Sequence, residues 1–352
     1  MKYRLLGNTG LRVSELCLGT MTFGGRGWGA MIGKLDQQAV DAVVKRSVDA
    51  GINFIDTANV YSEGWSEELT GQSIKNLGLN RHQLVLATKV RGQMGQGPND
   101  SGLTRKHIIW QVDESLKRLG TDYIDLYQIH SYDPLTPWQE TLWALDDLVK
   151  SGKVRYIGAS NLTAWQLAQA LAFSEYGRVG SFVSLQAYYT IAGRDLEREI
   201  VPLLKNQKVG LLVWSPLAGG LLSGKYKRDG QGADGARRKA FDFPPVDKER
   251  AFRVLDVLQP MAVAKQRSVA QLALSWLLHQ PVVTSVIIGA NKMEQLEDNL
   301  KAVEVSFSAE ELQKLDEVSK LPLEYPGWML DFTGVDRTEQ WPPAERRMPE
   351  NS

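Results

Sequence analysis

The chain has 352 residues, 43% of them hydrophobic and 23% charged, which is the usage of a globular protein with a large core, not of a disordered, fibrous or disulfide-stapled one. Lys plus Arg (41) balance Asp plus Glu (41), so no net positive field invites nucleic acid or an anionic membrane. A single cysteine, Cys17, excludes an internal disulfide and fits a reducing, cytoplasmic setting, and four histidines make a short list of acid/base candidates.

The opening MKYRLLGNTGLRVS carries charge where a signal peptide is apolar, and no apolar run reaches the roughly 18 residues of a membrane span. Residues 3–14 read as a hairpin turning at Gly7 to Gly10. Short apolar, β-rich runs follow at 15–19, 53–56, 84–90, 123–130, 154–160, 181–186, 209–214 and 285–289, giving eight candidate strands. Segments of helical period separate them, such as 36–50 with Ala39, Val43, Val44 and Val48, and 104–119 with Ile108, Val112, Leu116 and Leu119. Asp36, Thr104, Thr136 ahead of Pro137, Thr163 and Ser268 read as helix caps.

Strand starts recur about every thirty residues, the length of a strand, a crossover helix and two short loops. Eight such units predict an α/β protein, a (β/α)8 TIM barrel with an N-terminal β-hairpin and a C-terminal helical extension. The alternative, a doubly wound sheet with a cap, requires G-x-G-x-x-G after an early strand; Gly24, Gly25, Gly27 and Gly29 lack that spacing and read as a βα loop. Lys225 to Pro245 reads as a long polar loop after the seventh strand, and 308–320 as a helix capped by Ser308. No linker composition divides the chain, so one domain over 1–352 is expected, with its core at about 15–304 and a tail from about 321 to 352.

Chemistry in such barrels gathers at the carboxyl ends of the strands. Asp56, Lys89 and His130 fall there, with Tyr61 in the loop after Asp56. Singly, each has an ordinary structural explanation: a cap, a snorkelling lysine, a core imidazole, an aromatic cover. Together they carry a mechanism. Asp56 pairs with an otherwise penalised Lys89, and Lys89 lowers the pKa of Tyr61 so that it delivers a proton. His130, favoured over His82, His107 and His279 by position, hydrogen-bonds a carbonyl oxygen. Proton donation to a carbonyl that receives a hydride is carbonyl reduction.

These residues resemble the aldo-keto reductase superfamily, in particular the branch with potassium-channel β subunits and bacterial reductases, over about residues 3–304. GINFIDTANVYSEGWSEELTG (51–71) and RYIGASNL (155–162) are similar to its two signatures, and Asp56, Tyr61, Lys89 and His130 match its catalytic tetrad. The resemblance implies NADP(H), with Ser160, Asn161 and Gln186 on the carboxamide and Trp214 stacked on the nicotinamide. Gly19, Thr20, Met21 and Asp56 lie beneath it, and the run 214–226, with Ser215, Pro216, Leu217, Gly219, Leu221, Gly224 and Lys225, folds over the pyrophosphate. Ile288, Gly289, Asn291, Gln295, Asp298 and Asn299 face the adenosine half. Gln295 stands where a related branch has Arg, and Asp298 where Glu is usual; Lys292 and the run Arg237-Arg238-Lys239, with Arg237 the best match to a family arginine, supply charge to a 2′-phosphate. No metal motif is present.

Trp28, Met94 and Tyr132 suggest an aromatic or apolar substrate rim, while Trp143, Trp165 and Trp276 fall at apolar helix positions and read as packing. The expected partner is a small-molecule carbonyl compound, not nucleic acid or membrane, and self-association into a homo-oligomer is left open. Two rival readings stand beside the reductase: an NADP-binding regulatory sensor of the channel-β type with little turnover, and a barrel isomerase or lyase using Lys89 as a Schiff-base nucleophile.

Overall fold

A computed structural model describes residues 1–228, 238 and 241–334, apart from the side chain of Trp28. The first two strands, β1 (Tyr3–Leu5) and β2 (Arg12–Ser14), pair antiparallel with Tyr3 opposite Ser14. Their turn is pressed against the barrel: Gly7 has φ 57°, and a Cβ there would lie 2.2 Å from the Val183 carbonyl oxygen, so only glycine fits. Arg4 ties the same hairpin to the carbonyls of Leu278 (2.6 Å) and Val283 (2.5 Å).

Eight parallel strands follow, β3 (Leu16–Gly19), β4 (Phe54–Asp56), β5 (Val85–Val90), β6 (Ile124–Ile129), β7 (Val154–Ser160), β8 (Phe182–Tyr188), β9 (Gly210–Trp214) and β10 (Val283–Ile288). They neighbour one another in chain order, and β10 returns beside β3 with Val286 opposite Leu16, closing the barrel. Each of the eight falls within a residue or two of its expected run.

Alternation along the strands explains why nearly every strand residue is apolar. Cys17, Phe54, Ala87, Leu126, Leu212 and Ile287 fill the barrel together with Leu6 and Val13 from the hairpin. Leu16, Ile55, Leu86, Tyr127, Leu211 and Val286 face outward into the layer of helices.

That layer comprises α1 (Gln37–Asp49), α2 (Trp65–Asn76), α3 (Arg105–Leu119), α4 (Trp138–Lys150), α5 (Ala164–Gly177), α6 (Ile200–Gln207), α7 (Lys248–Lys265), α8 (Val269–Leu278) and α9 (Met293–Leu300). Two more, α10 (Ala309–Ser319) and α11 (Gly327–Gly334), form the C-terminal extension. Asp36, Thr104 and Ser268 cap their helices through their side chains, and Thr163 and Ser308 form reciprocal capping boxes with Gln166 and Glu311.

Two expectations need correction. Pro137 occupies the N-cap of α4, whereas the Thr136 hydroxyl is spent on Asp133 Oδ2 at 2.7 Å. Trp276 is buried as a packing residue should be, but Trp143 and Trp165 are more than half exposed, because helical period alone does not say which side of a helix meets the barrel. Within the long loop after β9, residues 229–237, 239 and 240 lie outside the described residues, as does the tail beyond 334.

Candidate active site

Asp56 ends β4 and Lys89 is next to last in β5, so adjacent parallel strands turn both side chains into the barrel. Lys89 Nζ donates to Asp56 Oδ1 at 2.5 Å, to the Thr57 carbonyl at 2.9 Å and to Tyr61 Oη at 3.2 Å. The second carboxylate oxygen of Asp56 accepts from Gln128 Nε2 and Gln186 Nε2, each at 2.9 Å. All three protons of the ammonium and both oxygens of the carboxylate are therefore used, the condition under which a buried ion pair is tolerated. Burial works against the charge on Lys89, yet Asp56 and then Tyr61 hold it above the ordinary lysine range.

Tyr61 opens the loop behind β4. Three left-handed residues follow it, Ser62 (φ 49°), Glu63 (φ 58°) and Gly64 (φ 90°), an uncommon run that turns the chain sharply into α2. Ser62 Oγ holds this turn by donating to the Phe23 carbonyl (2.9 Å) and accepting from the Gly25 amide (3.0 Å). The expectation that Lys89 lowers the pKa of Tyr61 is reversed in the net. Burial raises it most, and although Lys89 pulls down, Asp56 pushes up, so the phenol stays above its ordinary range. The carboxylate beside it offsets part of the positive charge facing Tyr61, and burial does the rest.

His130 immediately follows β6, with its ring edge-on to Tyr61 at a centroid distance of 5.7 Å. Burial first, then the charges of Lys89 and Arg91, lower its pKa to about 3. It is a neutral imidazole near neutral pH, a hydrogen-bonding group and not a cation.

Tyr61, His130 and Asp56 open into a cavity of about 910 Å³, near the upper end of the range for small-molecule sites. At its floor are Gly19, the last residue of β3, and Thr20 and Met21 after it. Asn161, in the left-handed region at φ 55°, donates to the His130 carbonyl (2.9 Å) and Ser160 Oγ (3.0 Å) and accepts from Trp214 Nε1 (3.0 Å). Ser160 donates to the Gln186 backbone carbonyl (2.9 Å). Gln186 commits its amide nitrogen to Asp56 and Gln128, which leaves its Oε1 as the atom for a ligand amide.

On the opposite wall lie Ser215, Pro216, Leu217, Gly219 and Lys225. Gly219 has φ 64°, and a Cβ there would stand 2.4 Å from the Phe243 carbonyl oxygen. The turn after β9 and the returning segment 241–244 thus run so close that only a bare backbone passes between them, a cradle for a ligand that must lie along peptide groups. At the far end Ile288, Gly289, Asn291, Gln295, Asp298 and Asn299 complete the lining. Asn291 Nδ2 reaches the Ile32 carbonyl (2.9 Å), while Asp298 accepts from Ser268 and Gln271, both at 2.7 Å. A long cavity with amide-recognising groups at one end and cations Lys225 and Lys292 toward the other fits an extended dinucleotide.

Several expected residues stand elsewhere. Leu221 is buried in the core and Gly224 lies against Val269; neither lines the cavity. Tyr132 packs between Trp138 (5.5 Å) and Trp165 (6.2 Å), and Met94 hydrogen-bonds Asp100 within its own loop, so neither borders the cavity. Arg237 and the side chain of Trp28 lie outside the described residues. The residues that sequence reasoning missed include Phe241 and Phe243. Phe243 lies nearly parallel to Trp214 (6.0 Å, 7°) and touches Phe241 (5.5 Å). Their signal was the FDF run inside a loop otherwise polar. Arg238, next to the expected Arg237, clamps this segment by donating to the carbonyls of Ala218 (2.8 Å) and Pro244 (2.9 Å) and pairing with Asp242.

Comparison with known proteins agrees with this geometry. The pattern of the Aldo/keto reductase family matches residues 15–320. Among curated relatives, an uncharacterized oxidoreductase, YrpG, of Bacillus subtilis is 39% identical over 90% of this chain and 96% of its own. A probable voltage-gated potassium channel subunit beta of Oryza sativa subsp. japonica is 38% identical over 87% and 92%. A putative aryl-alcohol dehydrogenase of Schizosaccharomyces pombe is 36% identical over 90% and 95%. On the family pattern and on these near full-length similarities, the chain belongs to the aldo/keto reductase family of oxidoreductases.

Proposed function

We propose that this protein reduces an aldehyde or ketone to the alcohol with NADPH as electron donor. The observation that carries the reading is the Lys89 ammonium shared between Asp56 and Tyr61, with neutral His130 edge-on to the same phenol at the head of the cavity. Tyr61 donates its proton to the carbonyl oxygen, and Lys89 stabilises the tyrosinate that this leaves. Asp56 keeps Lys89 in place and charged. His130 donates a hydrogen bond that orients the same oxygen. When bound, a nicotinamide supplies the hydride to the carbonyl carbon.

Ser160, Asn161 and the free Oε1 of Gln186 hold the carboxamide, Trp214 covers the ring, and Lys225 meets the phosphates. Asn291, Gln295, Asp298 and Asn299 take the adenosine half, and the charge of Lys225 and Lys292 favours the extra phosphate of NADP over NAD. The name borne by the aryl-alcohol dehydrogenase relative supports a carbonyl–alcohol pair as the reacting couple. The reading includes one domain, a cytoplasmic location and a small-molecule partner.

A second reading, an NADP-binding sensor with little turnover, is favoured by the potassium-channel β relatives. A Schiff-base role for Lys89 is disfavoured, since an amine nucleophile needs a lowered pKa and Lys89 has a raised one. The test is absorbance at 340 nm with NADPH, and separately NADH, against a panel of aldehydes, quinones and diketones. Oxidation of NADPH dependent on the carbonyl compound is expected. NADPH bound without turnover on any of them overturns the reductase in favour of the sensor.

A further inference from the structure

Alternate strands of a (β/α)8 barrel contribute to the same layers of its interior. Phe54 of β4 and Leu126 of β6 belong to the apolar filling. Two residues further along, the same strands present Asp56 and Gln128, and β8 presents Gln186. None of these three is more than 3% exposed. Asp56 and Gln186 line the cavity, whereas Gln128 is fully buried and takes no part in the lining.

Hydrogen bonds within this triangle have only one consistent direction. Gln128 Nε2 and Gln186 Nε2 each donate to Asp56 Oδ2 at 2.9 Å, and Gln186 Nε2 also donates to Gln128 Oε1 at 3.3 Å. A carboxylate only accepts, so Asp56, ion-paired with Lys89, compels both glutamines to turn their nitrogen toward it. Gln128 then has only its oxygen to offer Gln186, which must answer with a proton. Turning the Gln186 amide over would set its oxygen against two other acceptors. Its backbone carbonyl is held as well, accepting from the Asn161 amide at 3.1 Å and the Ser160 hydroxyl at 2.9 Å. One atom is left over: Gln186 Oε1 makes no hydrogen bond among the described residues and is open to the cavity.

We propose that Gln128 is a positioning residue that, with Asp56, locks the Gln186 amide so that it can only accept toward the cavity, selecting a dinucleotide whose ring substituent donates. The proposal deepens the NADPH-reductase reading and rests on it. The carboxamide of a nicotinamide carries such an N–H donor; a methyl ketone in its place does not. The carboxylate that keeps Lys89 charged thereby also sets which head group is recognised, and it does so through a residue that does not border the cavity.

The test compares dissociation constants, by calorimetric titration, for NADPH and for its reduced 3-acetylpyridine analogue, in which a methyl group replaces the amide nitrogen. The wild-type protein should bind NADPH about tenfold or more tightly, because a locked acceptor facing a methyl group is left without its hydrogen bond. Gln128→Met, of similar volume, removes one of the two locks and should lower that preference by about threefold or more. Gln128→Leu should do the same and stands in if Gln128→Met does not fold. Equal binding of the two dinucleotides by the wild type overturns the proposal and leaves the reductase intact. So does a Gln128 variant that weakens both alike, the mark of a merely structural glutamine, or one that changes neither. If the wild type binds neither dinucleotide, the reductase reading falls together with the proposal.

Discussion

Trp214 Nε1 donates to Asn161 Oδ1 at 3.0 Å, across a gap of 53 residues in the chain. The same Asn161 holds the His130 carbonyl, so one side chain links the indole that would cover a nicotinamide to the backbone that carries the histidine. Asn161→Gly keeps the left-handed backbone at φ 55° and removes only the amide. Loss of two or three hydrogen bonds at about 0.5–1.5 kcal/mol each should weaken NADPH binding about tenfold, read from quenching of tryptophan emission.

Tyr61→Phe removes the proposed proton donor and keeps the ring beside His130. Turnover should fall by about 10²- to 10⁴-fold while NADPH binding is retained. Loss of cofactor binding in this variant would instead mark Tyr61 as structural.

Asp56→Asn leaves the fully buried ammonium of Lys89 without its counter-charge. Removing one partner of a buried ion pair typically costs about 3–5 kcal/mol, so denaturant unfolding should show a loss of that order together with loss of activity. Asp56→Asn with Lys89→Met should recover much of the stability and none of the turnover.

The pH behaviour follows from two groups. His130 has a native pKa of about 3, against about 6.5 for an unfolded histidine. Between those values the unfolded chain binds a proton that the native one refuses, so stability falls as pH drops below about 6.5 and is unaffected above it. His130→Asn should blunt this acid sensitivity in denaturation curves at pH 5 and pH 7. Tyr61, with its raised pKa, stays protonated through the neutral range, so the reductive rate should be level across that range and decline only above the ordinary tyrosine range.

Gly219→Ala places a Cβ 2.4 Å from the Phe243 carbonyl at a backbone φ of 64°. The strap carrying Phe241 and Phe243 must shift, which should raise the dissociation constant for NADPH about tenfold for each 1.4 kcal/mol lost, measured by titration.

Eight strands and the alternation that fills the barrel were readable because apolar runs of strand length recur at the period of a βα unit. Asp56, Lys89 and His130 were readable for a related reason: a polar residue at the carboxyl end of a buried run has nowhere to go but the mouth. Tyr132 and Met94 were misplaced because their direction depends on how a loop folds, which no period encodes. The pKa of Tyr61 was misjudged because burial of the phenol outweighs the pull of Lys89, which Asp56 also opposes. Phe243 came from a segment further along the chain, which the Arg238 clamp helps to hold over Trp214.

The hairpin of β1 and β2 stops the end of the barrel away from the catalytic mouth, with Leu6 and Val13 reaching into the interior and Met1 beside Gly51. The doorway is the opposite end, where Tyr61 and His130 open into the cavity. A tether joined to Met1 would leave from the sealed side, so the protein could be fixed to a surface by that end with its doorway facing the solution.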